Sequence, residues 1–298
     1  MDKPVSMPPV AVFAYRRPES LRATLASLSA CEGASEVDLT VFVDAPGNIR
    51  ESGLVEETGR VACAAGGFRK VEVRCAENHL GLGKSVMEGV SSILERQASV
   101  IVLEDDLTVQ PGFLRFVWDG LERYAADQRV FSVCGYTSCV HIPENYPADA
   151  YFCPRSSSWG WATWKDRWES VDWNPAPSDW ARYRRTFADW GGSDCPDLLR
   201  GWMEGRNESW AIRFCFSEFL QGKVSLFPVK SLVDPSAGFD GSGTNCPRYS
   251  RFRFDLDARP GPFRYPGTVE VVPSIRKSAL HYHSLPLRAW SRLRNLFA

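Results

Sequence analysis

Apolar and polar positions fall into two kinds of block along the first half of the chain. Short runs of consecutive apolar residues, the pattern of strands covered on both faces, occupy residues 9–14 (PVAVFA), 39–43 (LTVFV), 100–103 (VIVL) and 130–134 (VFSVC). Residues 70–75 (KVEVRC) alternate instead, like a strand with one covered face. Between these runs the apolar residues recur at helical spacing. Leu21, Leu25 and Leu28 follow Pro18, which suits a first helical position. Val86, Met87, Val90, Ile93 and Leu94 make a second stripe, and a third helix is expected from about Pro111 to Ala126. Strands alternating with helices predict an α/β domain on a doubly wound, mostly parallel sheet.

In such a sheet ligands bind beyond the carboxyl ends of the strands, and polar clusters stand at those ends here. Tyr15-Arg16-Arg17 follows the first strand, Asp44 the second, Asn78 through Lys84 the third, and Glu104-Asp105-Asp106 the fourth. Three carboxylates in a row resist burial and raise one another's pKa, so a positive species is expected among them. A divalent cation shared with a phosphate suits the oxygen donors. A solvated acidic turn, or a negative start to the next helix, is the alternative. The stretch GLGKS lies between a strand and a helix, but the phosphate-loop pattern needs glycine where this chain has Asn78. Gly81 and Gly83 would let backbone approach a ligand, with Lys84 supplying charge, or would only shape the turn. Asp44 would accept a hydrogen bond from a base or sugar, or hold a turn.

The second half differs in composition. Nine of the eleven tryptophans lie between Trp159 and Trp210. In SSSWGWATWKDRW, Trp159 and Trp161 read either as faces for stacking on sugar rings or as a packing layer. Farther on, Ala211, Ile212, Phe214, Cys215, Phe216 and Phe219 mark a buried helix with Glu208 at its amino end, as a cleft carboxylate or a cap. The glycine-rich GFDGSGTN, with Asp240 and Gly241, reads as a lid or a surface turn. In the tail, LPLRAWSRLRNLF forms a basic amphipathic helix. It lies on an anionic membrane surface or packs back onto the domain.

Charge adds mainly exclusions. With 35 Lys+Arg against 36 Asp+Glu in 298 residues, no global field points to nucleic acid. The nine cysteines show no metal spacing and read as reduced, mostly buried thiols. The amino-terminal MDKPVSMPPV lacks the apolar core of a signal peptide, so a cytoplasmic protein is expected, peripheral at the inner face of the membrane if the tail helix touches lipid.

With these pieces in place the chain resembles the GT-A glycosyltransferases, in the branch of N-acetylglucosaminyltransferase I and its bacterial sugar-transferase relatives. PVAVFAYRRPESLRATLASL, VFVDAP, NHLGLGKSV, VLEDDLTVQPGFLRF, WGWATWKDRW, SWAIRF and GFDGSGTNC carry the resemblance in order, over roughly residues 9–246. It implies a GT-A fold with a nucleotide-sugar-binding half (1–140), an acceptor-side half (141–260) and a C-terminal extension (261–298). It further implies metal-dependent, inverting transfer from a UDP-linked donor to a glycan or lipid-linked acceptor. Asp106 would hold Mn²⁺ or Mg²⁺, with Glu104 and Asp105 near the ribose, Asp44 at the uracil, and Ala14, Tyr15 and Arg16 beside the nucleotide. Asn78, Gly83 and Lys84 would complete the donor side, and Trp159, Trp161, Asp240 and Gly241 the acceptor side or lid. The family's base is an aspartate just before a tryptophan; Ser209 stands there, which leaves Glu208 as the candidate base and Glu218 as its alternative. A sugar nucleotidyltransferase and a catalytically inactive sugar-binding protein remain as competing readings.

Overall fold

A computed structural model of the protein describes residues 7–239 and 249–296. Ten strands run through them in chain order: β1 (Val10–Ala14), β2 (Asp38–Val43), β3 (Lys70–Cys75), β4 (Ser99–Glu104), β5 (Thr108–Val109), β6 (Val130–Cys134), β7 (Ala150–Cys153), β8 (Trp161–Trp164), β9 (Val224–Pro228) and β10 (Val233–Asp234). The helices are α1 (Pro18–Ser29), α2 (Ser52–Cys63), α3 (Leu82–Leu94), α4 (Phe113–Tyr124), α5 (Lys165–Glu169), α6 (Pro177–Gly191), α7 (Cys195–Met203), α8 (Trp210–Leu220), α9 (Pro273–His281) and α10 (Leu285–Asn295).

Eight strands form one sheet in the order β3-β2-β1-β4-β8-β6-β9-β7, and β5 pairs with β10 in a separate ribbon. β3, β2, β1 and β4 are parallel neighbours. β8 lies antiparallel between β4 and β6, and β7 antiparallel on β9. This is the expected α/β architecture with a mostly parallel central sheet. β1 and the interior of β4 are continuously apolar because both faces are covered. In β1, Val10, Val12 and Ala14 pack with residues of α1, α2 and α4, while Ala11 and Phe13 pack with α3 and α8. β4 divides likewise, with Ile101 and Leu103 on one side and Val100 and Val102 on the other.

Two elements depart from expectation. WATW, read as a tryptophan cluster, is the buried strand β8 inside the sheet. Its pairing with β4 spans Ser99↔Trp164 to Val102↔Trp161. The tail helix α10 packs by its polar side. Ser291 is buried, Arg288 donates to Ser193 Oγ at 3.0 Å, and Asn295 accepts from the Tyr249 N–H at 2.8 Å. Its apolar residues Trp290, Leu293 and Leu296 remain exposed, and Phe297 lies outside the described residues. Of the eight described cysteines, five are buried. Among the described residues no helix is long and apolar enough to cross a membrane.

Candidate active site

The chain winds outward from β1 through β2 to β3, then returns to place β4 on the other side of β1. Strand order therefore reverses between β1 and β4, which is where such sheets open a crevice at their carboxyl ends. β1 ends at Ala14 and β4 at Glu104, so the residues following them emerge side by side.

Arg17 joins the two. Its guanidinium donates to Asp105 Oδ1 at 2.6 Å and to Asp106 Oδ2 at 2.9 Å. The Tyr15 backbone N–H donates to Asp105 Oδ2 at 3.1 Å, and the Thr24 hydroxyl holds the Asp105 carbonyl at 3.0 Å. The positive species demanded by the acidic run is thus supplied from within the chain. In sequence both arginines stand on the rim and the resemblance selects Arg16, but the carboxylates are held by Arg17. Arg16 turns the other way and pairs with Glu51. Burial still dominates the acids: it pushes Asp105 up to about 6 against the pull of Arg17. Glu104 is raised by burial and by the neighbouring Asp106 and Asp105 carboxylates.

A metal ion at this place would meet oxygen donors. Asp106 is largely buried, and only its Oδ2 takes a hydrogen bond from the described residues. Among those residues no group of three or more His, Cys, Asp or Glu side chains gathers to hold a metal ion by itself. The arrangement fits a hard cation that takes one carboxylate from the protein and the remaining oxygens from a phosphate and water.

Asp44 sits at the end of β2 with both oxygens occupied. Oδ1 accepts from the Ala45 and Leu80 N–H groups and Oδ2 from the Gly81 N–H, each at 2.9 Å. His79 Nδ1 approaches Oδ2 at the same distance. This carboxylate holds the loop between β3 and α3, the turn role left open for it. Tyr15 links the loop to the acidic cluster. Its ring lies 5.0 Å from that of His79, and its hydroxyl accepts from the Gly47 N–H at 2.7 Å while donating to Glu51. His79 and Glu51 carried no signal in the sequence that set them apart from other polar loop residues.

Glycine in the β3–α3 loop serves the approach of another backbone. A Cβ at Gly83 would fall 2.3 Å from the Glu208 carbonyl oxygen, and one at Gly81 would fall 2.7 Å from Glu208 Oε2. Gly81 also has φ 76°, in the left-handed region. The close neighbour expected to be a ligand is, at Gly83, the chain itself. Lys84 and Asn78 are exposed, and Lys84 lies 3.6 Å from Glu88 on the next turn of α3.

These contacts bring Glu208 to the rim. Its side chain is exposed, at the entrance to α8. Ser209 is the N-cap, accepting from the Ile212 N–H at 3.2 Å, so the capping role considered for Glu208 belongs to its neighbour. Glu218 lies elsewhere. It is fully buried within α8, accepting from the Ser225 hydroxyl at 2.7 Å and the Ser156 N–H at 2.9 Å. Burial pushes its carboxyl up to about 8.

The tryptophans divide. Trp161, expected on the acceptor side or in a lid, is 1 % exposed and stacks on Trp210 with ring centroids 4.8 Å apart. As the first residue of β8, with Ala211 and Phe214 of α8 in the same cluster, it is core and cannot meet a substrate. Trp159 is half-buried and crossed edge-on by Tyr136, Phe239 and Phe252. It lines a cavity of about 1190 Å³ whose wall also includes Asn207 and Ser209, the neighbours of Glu208. Asp240 and Gly241 lie outside the described residues.

No protein-family model matches the chain, and no curated protein matches it by sequence. Solved structures to which the chain is similar include mouse xyloside xylosyltransferase 1 in its apo form (10 % identity, 71 % of this chain and 81 % of that one, TM-score 0.39). Glucosyl-3-phosphoglycerate synthase from Mycobacterium tuberculosis, in complex with Mn²⁺, UDP and phosphoglyceric acid, is 12 % identical over 60 % of this chain and 65 % of that one (TM-score 0.36). A mannose-1-phosphate geranyltransferase from Thermus thermophilus is 12 % identical over 78 % and 76 % (TM-score 0.40). With these three TM-scores below 0.5, the functional reading rests on the residues of this chain's own rim and cavity.

Proposed function

We propose that the chain is a glycosyltransferase of the GT-A type. It moves a sugar from a nucleotide-sugar donor, UDP-linked, to a hydroxyl of a glycan or lipid-linked acceptor, with inversion at the anomeric carbon. The observation that carries this reading is the Arg17–Asp105–Asp106 junction at the strand-order reversal, with Glu208 held at the same rim by the Gly81–Gly83 loop.

Each half of the chain has its part in this reaction. Residues 1–140 hold the donor: Ala14, Tyr15 and Arg16 border the nucleotide, Glu104 and Asp105 the ribose, and Asp44 shapes the loop that presents Asn78 and Lys84 to it, with Gly83 packed on the Glu208 backbone. Asp106 is the residue to hold Mn²⁺ or Mg²⁺, with the donor's phosphate oxygens completing the set. Bound there, the cation would neutralise the charge that builds on the departing diphosphate. Arg17 fixes Asp105 and Asp106 before the donor arrives, so little reorganisation accompanies binding. Glu208 removes the proton from the acceptor hydroxyl. Residues 141–260 supply the acceptor side through Trp159 and the cavity, and residues 261–298 close its far wall. The outward Trp290 of α10, with Arg294 near it, suits contact with an anionic membrane surface on the cytoplasmic side.

The test is a titration of UDP with and without Mn²⁺ on the wild type and on Asp106→Ala. Wild type should bind UDP more tightly with the metal and release free UDP from a UDP-sugar. Asp106→Ala should lose the metal-dependent part of the affinity and nearly all turnover. Equal activity of the two proteins in manganese would remove Asp106 from the metal role.

A further inference from the structure

The cavity lined by Trp159, Asn207 and Ser209 has a charge imbalance at one part of its wall. Arg155, Arg206, Arg251, Arg288 and Arg292 line it, with Asp194 and Asp197 as the only acidic lining residues among those described. Asp194 is already committed: Arg155 takes both of its oxygens, at 2.7 and 2.9 Å. Arg288 reaches Asp197 at 3.3 Å, but that aspartate side chain is 58 % exposed, so the pairing is screened. Arg206 pairs with Glu204, away from the cavity. Arg251 is left with the Tyr282 carbonyl at 2.8 Å and a distant Asp194 oxygen at 4.0 Å. Arg292 makes no ion pair among the described residues. His283, in the same wall, is held neutral: burial and the nearby Arg155 bring it down to about 4.

Cations gathered in a partly desolvated pocket repel one another unless an anion joins them. The repulsion is visible at Arg251, which burial and the charges of Arg155, Arg288 and Arg292 together hold below the usual guanidinium range, with Asp194 opposing them. Guanidinium groups in this density match the oxygens of a phosphate or a carboxylate. Around them the wall is apolar, with Leu280, Leu293 and Leu296.

We propose that this cavity binds the acceptor through an anionic group, a phosphate or its like, held by Arg251, Arg288 and Arg292. The inference rests on the glycosyltransferase reading for the word acceptor, but the anion site itself does not. An anion fixed at the arginines would orient the acceptor and select against neutral glycans of the same size. A lipid-linked phosphate and a soluble phosphorylated or acidic sugar share this chemistry. The leucines at the wall would favour the first.

The experiment measures binding of inorganic phosphate, of octyl phosphate below its micelle concentration, and of octyl glucoside as an uncharged control. UDP and Mn²⁺ are kept saturating so that the donor side is filled, and the titrations are repeated without them. Wild type should bind both phosphates and not the glucoside. Arg251→Gln and Arg292→Gln should each weaken phosphate binding about tenfold, the scale of one charge-assisted hydrogen bond. Arg292 is exposed, so its variant should fold even if Arg251→Gln does not. Tighter binding of octyl phosphate than of phosphate points to a lipid-linked acceptor, and equal binding to a soluble anion; both uphold the anion site. Absence of phosphate binding, or binding unchanged in Arg292→Gln, overturns it. A protein that binds phosphate in this way but never binds UDP would keep the anion site and lose the transferase reading instead.

Discussion

The rim at the ends of β1 and β4 and the tryptophan layer are both dense in residues that invite a functional reading, yet the structure uses them in opposite ways. At the rim the charged side chains are held by short polar contacts and stay at the end of the sheet. Arg17 grips Asp105 and Asp106, and backbone N–H groups grip Asp44. In the layer, Trp161, Trp168, Trp210 and Phe214 pack against one another and leave no face to offer. Chemistry at the rim depends on position, whereas the layer contributes apolar burial. Substitutions in the two regions should therefore separate turnover from stability.

Of the variants that separate the two regions, Glu208→Gln carries the largest effect. Loss of a general base typically removes about 10²–10⁴ in rate, and UDP affinity and melting temperature should stay near wild type because Ser209, not Glu208, caps α8. A variant that transfers sugar normally would take the base role from Glu208. Trp161→Ala should show the reverse pattern. Removing a large buried aromatic costs about 3–5 kcal/mol of stability, read by denaturant unfolding, and any UDP binding should persist in the folded fraction. If unfolding were unaffected, Trp161 would not be the core residue its 1 % exposure indicates.

Glu218→Gln sharpens the contrast through pH. Burial raises the Glu218 carboxyl from 4.5 to about 8, so the folded state keeps a proton that the unfolded chain releases. Its contribution to stability is complete below about pH 4.5 and is lost as pH rises through 8. The glutamine variant should show a flatter fall in melting temperature across that window. Identical slopes would mean that Glu218 is charged in the folded protein. Glu104 and Asp105 act in the same direction, so the difference between the two proteins is the quantity to measure.

Asp44→Ala carries the smallest expected effect. It frees three backbone N–H groups at the turn into α3. Two of them, at Leu80 and Gly81, are partly exposed to water, which limits the loss to about 1–3 kcal/mol, divided between stability and UDP affinity. Hydrogen exchange at Leu80 and Gly81 should accelerate. Protection that survives the substitution would count against the loop-holding role.

How much of this was legible in the sequence follows the same division. β1, β4 and β6 were readable because strands covered on both faces must be apolar throughout, and α1, α3 and α4 because their buried residues keep one period. β8 was not, since WATW is too short to show alternation and its tryptophans suggested stacking instead. The rim's position was legible from polar residues following apolar strands. Its internal pairing was not: Arg16 and Arg17 are adjacent in sequence, and only the exit direction of β1 sends one to Glu51 and the other to the carboxylates. Asp44 shows the same limit, because its partners depend on how a loop far along the chain folds back.

The contact between Gly83 and the Glu208 carbonyl ties together two segments widely separated in sequence. Neither can drift independently. A side chain at position 83 would displace the strand of backbone that carries Glu208, and a bulge inserted near Ser209 would press back on the first turn of α3. Related chains should therefore change these two stretches together or leave both alone. A library randomised at 81–83 alone would return almost only glycine at 83, while one randomised jointly with 207–209 would admit new pairs.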